Sequence, residues 1–202
     1  MFVGIILRDC EDYKYIKNSL IRCLNEFNVV PLFLVRENIN SLINKCNGFI
    51  LPGGDNFSDI EDEVIKYAIR EDKPLFGICL GMQALACFSV KEDQLLDLTT
   101  RNMSNAHKSR KKYVHKIIIN RNSLLYKLLK KDKINVNSRH KTHVEKVKFK
   151  VVATSKDGII EGVELQDKKF ILGVQWHPED MIFYDKEQYK LMEYFIHCCK
   201  RN

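Results

Sequence analysis

Four short apolar runs, each followed by a helical pattern or a turn, constrain this chain more than any other feature. FVGIILR (2–8), VVPLFLV (29–35), GFILPGG (48–54) and PLFGIC (74–79) read as buried strands. Between them, Glu11 to Phe27 sets Tyr15, Leu20, Cys23, Leu24 and Phe27 at broadly helical spacing. NINSLINKC (38–46) makes a short helix and SDIEDEVIKYAIRED (58–72) a longer one. Ser58 or Asp59 is the N-cap candidate of that helix, and its acidic first turn suits the helix dipole. Strands joined by helices in this rhythm predict a parallel sheet with helices on both faces.

The second half has a different rhythm. YVHKIIIN, INVNSRH, FKVVATS, GIIEGVEL and FILGVQWH are closely spaced strand candidates, with Asp157-Gly158 as a turn between two of them. EQYKLMEYFIHCC (187–199) reads as an amphipathic helix, and residues 91–112, rich in Lys, Asn and Ser, as a mobile surface loop. The expected fold is therefore α/β: an open, mostly parallel central sheet flanked by helices, with additional antiparallel strands in the C-terminal half. One domain over residues 1–202 accommodates it.

Composition removes several function classes. The formal charge of +7 comes from lysines spread along the chain, with no aromatic–basic strand motif or helix-turn-helix pattern, so nucleic acid is not the expected partner. No apolar stretch is long enough to span a membrane, and MFVGIILRDCEDY lacks the marks of a signal peptide, which makes cytoplasmic the expected location. The seven cysteines are odd in number and include no CxxC pair. Neither a disulfide framework nor a zinc site is expected from their spacing.

One of those cysteines stands apart. Gly77-Ile78-Cys79-Leu80-Gly81 lies where the fourth strand turns into a helix, GMQALACF. Packing is one explanation, because a free cysteine is a common small core residue. Catalysis is the other: a strand-to-helix elbow presents its central residue, glycines relieve the crowding, and the helix N-terminus favours an anion. In open α/β sheets ligands bind beyond the carboxyl ends of the strands, where Cys79, Gly53, Gly54 and His177 all fall. Val174-Gln175-Trp176-His177-Pro178-Glu179 adds a base and a carboxylate. Two positions apart on an extended strand, His177 and Glu179 project to one side. A strand-end histidine and a surface glutamate are the alternative reading; the elbow cysteine tips the balance toward a nucleophile with an oriented base.

GICLGMQ and GVQWHPE resemble the two signature segments of the class I glutamine amidotransferases. VNSRH (136–140), ATSKDGIIEGVE (153–164) and the His of YVHKIII (113–119) are similar to the gamma-glutamyl hydrolase, peptidase C26-like branch. The resemblance implies Cys79 as nucleophile, His177 as general base and acid, and Glu179 as the residue that orients it. It implies an oxyanion hole from the backbone N–H groups of Gly54 and Leu80. Gly53, Gln83 and the 136–140 segment, with Ser138, Arg139, His140 and the adjoining Lys141, would hold the substrate. The expected substrate is a small γ-glutamyl amide, and no metal, cofactor or obligate protein partner is implied.

Where members acting on small amines tend to carry small or neutral residues, this chain has Lys141-Thr142-His143. Four of the five residues 139–143 can be cationic, which predicts an anionic, nucleotide-linked leaving group; a charged surface loop is the alternative. Met103–Tyr113, with Lys108, Arg110, Lys111 and Lys112, reads either as a charged lid or as a solvated loop. His107 and His115 either line the pocket or are structural. A γ-glutamyl-GABA-type hydrolase, a glutaminase subunit feeding a synthetase, and an inactive binding module remain open on the same fold.

Overall fold

A computed structural model describes residues 1–90 and 107–201. The first part runs β1 (Phe2–Ile6), β2 (Arg8–Cys10), β3 (Tyr13–Tyr15), α1 (Asn18–Glu26), β4 (Val30–Leu34), α2 (Ile39–Leu42), β5 (Gly48–Leu51), α3 (Glu61–Arg70), β6 (Leu75–Ile78) and α4 (Leu80–Val90). The second runs β7 (His115–Ile119), α5 (Leu124–Leu129), β8 (Lys133–Val136), β9 (Lys150–Ser155), β10 (Ile160–Glu164), β11 (Ile171–Val174) and α6 (Lys186–Lys200). Nine strands form one sheet in the order β4-β1-β5-β6-β11-β10-β9-β7-β8. From β4 to β11 the neighbours are parallel; from β11 to β8 they are antiparallel. The expected mixed sheet is the observed one.

Strand alternation explains the two cores. Val3, Ile5, Ile50, Phe76, Ile78, Leu172 and Val174 point to the face covered by α1, α5 and α6. Ile6, Phe49, Leu51, Leu75 and Ile171 point to the face covered by α2, α3 and α4. Every residue of β5, β6 and β11 is buried, as covered central strands require. Phe76 meets Phe170 edge-on at 5.7 Å beneath α6, and its truncation to Ala is expected to cost about 3–5 kcal/mol.

Three expectations needed correction. Residues 8–15 are a small hairpin, with Arg8 opposite Tyr15, rather than the start of a helix. Glu11 turns it in the left-handed region, and α1 begins only at Asn18. Neither Ser58 nor Asp59 caps α3. Its cap is Ile60, and Glu61 bonds back to the Ser58 N–H while facing Arg8. The expected loop over 91–112 lies outside the described residues as far as 106, but the described remainder carries a buried His107. Among the described residues, no helix is long and apolar enough to cross a membrane.

Sheet order decides what can meet. Arg8, Pro52, Cys79 and His177 follow the carboxyl ends of β1, β5, β6 and β11, which are consecutive neighbours. Residues from distant parts of the sequence thus converge on one rim.

Candidate active site

Cys79 sits between the end of β6 and the start of α4 with φ at +53°. A side chain in that region costs of order 1–3 kcal/mol and persists only where the surroundings hold it. Here the Cys79 N–H donates to the Val174 carbonyl at 2.8 Å, and the Cys79 carbonyl accepts from the Gln83 N–H at 3.1 Å. The glycines serve close approach. A Cβ on Gly81 would lie 2.0 Å from the Leu51 carbonyl oxygen, and one on Gly77 would lie 2.6 Å from that of Gly81. The elbow therefore strains the cysteine and spares the glycines.

His177 and Glu179 meet by a different route from the one expected. Pro178–Asp180 is a 3-10 turn, not extended strand, and it folds the carboxylate back until Glu179 Oε1 lies 2.8 Å from His177 Nδ1. Both side chains are buried. Asn137 clamps the histidine backbone, donating from Nδ2 to the His177 carbonyl and accepting the His177 N–H, each at 2.8 Å. With Nδ1 committed to Glu179, Nε2 is the nitrogen left for the sulfur. A Cβ on Gly53 would lie 2.7 Å from His177 Cε1 and 3.4 Å from Cys79 Cβ, so imidazole and cysteine flank this one glycine. Burial works against charge on His177, but Glu179 and the Cys79 sulfur outweigh it and push its pKa up to about 10. The site is arranged around an imidazolium.

Beside the sulfur lies a cavity of about 130 Å³ lined by Gly54, Asp55, Cys79, Leu80, Gln83, Arg139, His140, Lys141 and Thr142. Gln83 is fixed on its wall by bonds from Nε2 to the Thr142 carbonyl at 3.0 Å and to Gln175 Oε1 at 3.1 Å. Gln175 in turn points Nε2 at Cys79 Sγ across 3.5 Å. Under the loop after β5 lies Arg8, which is buried. It donates from Nε to the Pro52 carbonyl at 3.0 Å and pairs Nη1 with Glu61 Oε1 at 2.7 Å. A Cβ on Gly54 would lie 2.8 Å from the Arg8 stem. The backbone at Gly53-Gly54 is thus held from below by a guanidinium.

A positioned thiol, an oriented imidazolium and a small polar cavity are equipment for acyl transfer from an amide. Residues 58–179, which include Cys79, His177 and Glu179, match the Peptidase C26 family. The chain belongs to that family. It lies within the class I glutamine amidotransferase superfamily, whose activity is of the amidohydrolase type. It is 33% identical over 213 residues to Protein NtpR of Enterococcus hirae, covering 90% of this chain and 88% of that one. It is 26% identical to the CTP synthase of Lactococcus lactis subsp. lactis, over 71% of this chain but 32% of the synthase. The fold is shared with the glutaminase domain of Trypanosoma brucei CTPS, solved with bound acivicin. There the TM-score is 0.68 at 16% identity, covering 100% of this chain and 94% of that domain.

Within this C26 frame the residues expected to hold substrate separate. Gln83, Arg139, His140 and Lys141 reach the cavity wall, as do Gly54 and Leu80. Ser138 is buried and its hydroxyl donates to the His107 carbonyl at 2.7 Å, so it braces the loop and does not line the cavity. The four-cation reading of residues 139–143 is reduced to two. His140 and His143 are buried, His140 turning its ring toward Glu161, while Arg139 pairs with Asp180 and Lys141 lies 3.6 Å from Asp55. His107 and His115 join Glu161, and neither lines the cavity beside Cys79. Met103–Ala106 of the expected lid lie outside the described residues; Lys108 bridges to Arg139. Arg8 and Gln175 were missed, and Asn137, inside the 136–140 segment expected to hold substrate, clamps the His177 backbone instead. A buried arginine after a first strand carries no sequence signal, whereas Gln175 stands inside the quoted GVQWHPE segment.

Proposed function

We propose that the chain hydrolyses a γ-glutamyl amide through a thioester on Cys79. The observation that carries this reading is the strained Cys79 facing the His177–Glu179 pair at the wall of a small cavity. The thiolate attacks the γ-carbonyl carbon, and the N–H groups of Gly54 and Leu80 receive the developing oxyanion. Such donors are worth about 3–4 kcal/mol of barrier. The imidazolium of His177 gives its proton to the departing nitrogen as the C–N bond breaks. Water then enters and its oxygen adds to the thioester carbon as His177 takes a proton; the C–S bond breaks, and glutamate leaves with the thiolate–imidazolium pair restored. Glu179 holds the ring in the tautomer that serves both steps.

The cavity of about 130 Å³ suits an amino-acid head and is well below the about 300 Å³ at which whole drug-sized ligands are accommodated. Any large leaving group therefore extends past Arg139 and Lys141, which favours an anionic one. The specific substrate we propose is γ-glutamyl-CDP-amidate, a phosphoramidate whose hydrolysis gives glutamate and CDP-amidate, a step that would serve capsule phosphoramidate synthesis. The pairing of Arg139 with Asp180 and the approach of Lys141 to Asp55 temper the charge, so this assignment rests on two cations where the sequence suggested four.

A second reading, a glutaminase that supplies ammonia to a synthetase, is favoured by likeness to a CTP synthase and to the glutaminase domain of another. One experiment separates the two. Glutamate release is measured on γ-glutamyl-CDP-amidate, γ-glutamyl-GABA and glutamine, alone and with candidate synthetases. Preference for the nucleotide substrate without a second protein is the expected result. Glutamine turnover that requires a partner would establish the glutaminase reading instead.

A further inference from the structure

A second polar cluster lies in the antiparallel half of the sheet. His107 Nδ1 is 3.2 Å from His140 Nε2 and 3.5 Å from Glu161 Oε1. His140 Nε2 is 3.7 Å from the same oxygen, and His115 Nε2 approaches it to 3.0 Å. His107, His140 and Glu161 are buried, Glu161 completely, and the donor atoms of these three lie within 4.8 Å of one another.

Three features set this cluster apart from an ordinary buried hydrogen-bond network. First, three histidines converge on Glu161 Oε1, His115 Nε2 at 3.0 Å and His107 Nδ1 at 3.5 Å among them, while Glu161 Oε2 is buried without a hydrogen-bond partner. Buried polar atoms are nearly always satisfied, so three imidazoles sharing one carboxylate oxygen while the other has no partner need an explanation. Second, donors around a tetrahedral metal at its usual bond lengths lie about 3.3–3.5 Å apart, and the four separations above scatter around that value. Third, the outer nitrogens are already braced. His107 Nε2 meets Asp157 Oδ2 at 2.9 Å, and His140 Nδ1 lies 3.0 Å from the Thr142 carbonyl. A carboxylate or a carbonyl behind the ring fixes the tautomer of a metal-bound histidine.

Glu161 owes its position to a bulge. Ile160 pairs with Thr154 and Gly162 with the adjacent Ala153, so Glu161 is the extra residue and its side chain is re-aimed. We propose that this cluster is a structural zinc site, with His107 Nδ1, His140 Nε2 and Glu161 as ligands. His115 Nε2 is the nearest further donor and takes the fourth corner. Nitrogen-rich, closed and without a cysteine, the set suits Zn²⁺ better than oxygen-seeking Ca²⁺ or Mg²⁺. The ion would tie the segment before β7, the start of β7 and the bulge in β10 to the loop that carries Arg139 and Lys141. No step of the proposed thiol chemistry runs through it, although His140 also reaches the wall of the cavity beside Cys79.

The test is metal content by mass spectrometry on protein produced with added zinc and freed of loosely bound ion. About one zinc per chain is expected in the unaltered protein and in Cys79→Ala, and a large loss in Glu161→Gln. Asp157→Asn changes a half-exposed side chain and leaves every ligand in place. By chelator competition it should bind zinc about 10–100-fold more weakly. Cobalt substitution of the unaltered protein should give the intense visible absorption of a four-coordinate ion. A chain that holds no stoichiometric zinc and whose Tm does not rise on zinc addition overturns the proposal. So does undiminished zinc in a folded Glu161→Gln, which would move the ion to His177, Glu179 and Asp180.

Discussion

Around Cys79, Arg8, Gln83 and His177 arrive from the rim of adjacent parallel strands and from α4, and each has a partner in place. Around Glu161, the side chains arrive from antiparallel strands and the loops between them, and three histidines share one oxygen of a single buried carboxylate. The parallel rim pairs its charges one to one, Arg8 with Glu61 and His177 with Glu179, and its strain lies in one backbone angle. The antiparallel cluster crowds three imidazoles onto one carboxylate, the arrangement that the proposed ion would complete. Buried polar groups cost roughly 1–3 kcal/mol each when unsatisfied, so a fold keeps such a cluster where a further group compensates for it. The comparison teaches that the two polar sites differ in how charge is shared: one-to-one pairs at the rim, three rings around one carboxylate in the cluster.

The largest expected effect tests the parallel rim. Cys79→Ala should lower kcat on the γ-glutamyl substrate on the order of 10⁶-fold, as removal of a triad nucleophile does. Glutamate-release assays read it, and retained turnover would break the reading of that rim as chemical. Glu179→Gln keeps the shape but should cost about 10⁴-fold in kcat, by removing the carboxylate that orients the base. The same variant carries a pH signature. Because the folded-state pKa of His177 is raised from 6.5 to about 10, the stability its charge contributes is complete below pH 6.5 and is lost as pH rises through about 10. The Tm gap between Glu179→Gln and the unaltered protein should be wider at pH 6.5 than above pH 10. Equal gaps would remove the ion pair from the account.

Arg8 sharpens the comparison by breaking one of the one-to-one pairs. Arg8→Met leaves Glu61 buried without its cation and should destabilise by about 3–5 kcal/mol in denaturant unfolding. Burial already pushes the Glu61 pKa up, against the pull of Arg8. Adding Glu61→Leu should restore much of the stability. Turnover should not return with it, because the Pro52 carbonyl still lacks its donor. Recovery of both together would make Arg8 a packing residue only. The smallest effect concerns the mouth: Lys141→Gln should raise KM for the nucleotide-linked substrate about 10-fold, close to 1.4 kcal/mol, and leave γ-glutamyl-GABA unchanged. An equal change for both substrates would remove the anionic leaving group.

Legibility differed between the halves for the same reason that their polar atoms differ. Gly77-x-Cys79-x-Gly81 and His177-Pro178-Glu179 are short segments whose function depends on local backbone shape, so the residue types announce themselves. Even there, the turn at Pro178–Asp180 does what strand alternation was expected to do. The 139–143 segment misled because charge was counted without direction. Two of its histidines turn inward, and a string of residue types does not encode which way a loop side chain faces. Arg8 gave no warning, since its burial depends on Pro52 and Glu61, more than forty residues away.

Apolar periodicity and turn residues by themselves determined the alternating strands and helices, and the flanking glycines marked the cysteine at the elbow, because each follows from local backbone preference. Only the tertiary structure decided that β1, β5, β6 and β11 stand side by side and that a bulge turns Glu161 toward three histidines. Strand order and register are set by the packing of the whole sheet between its two helical layers, and no local stretch of sequence contains that information.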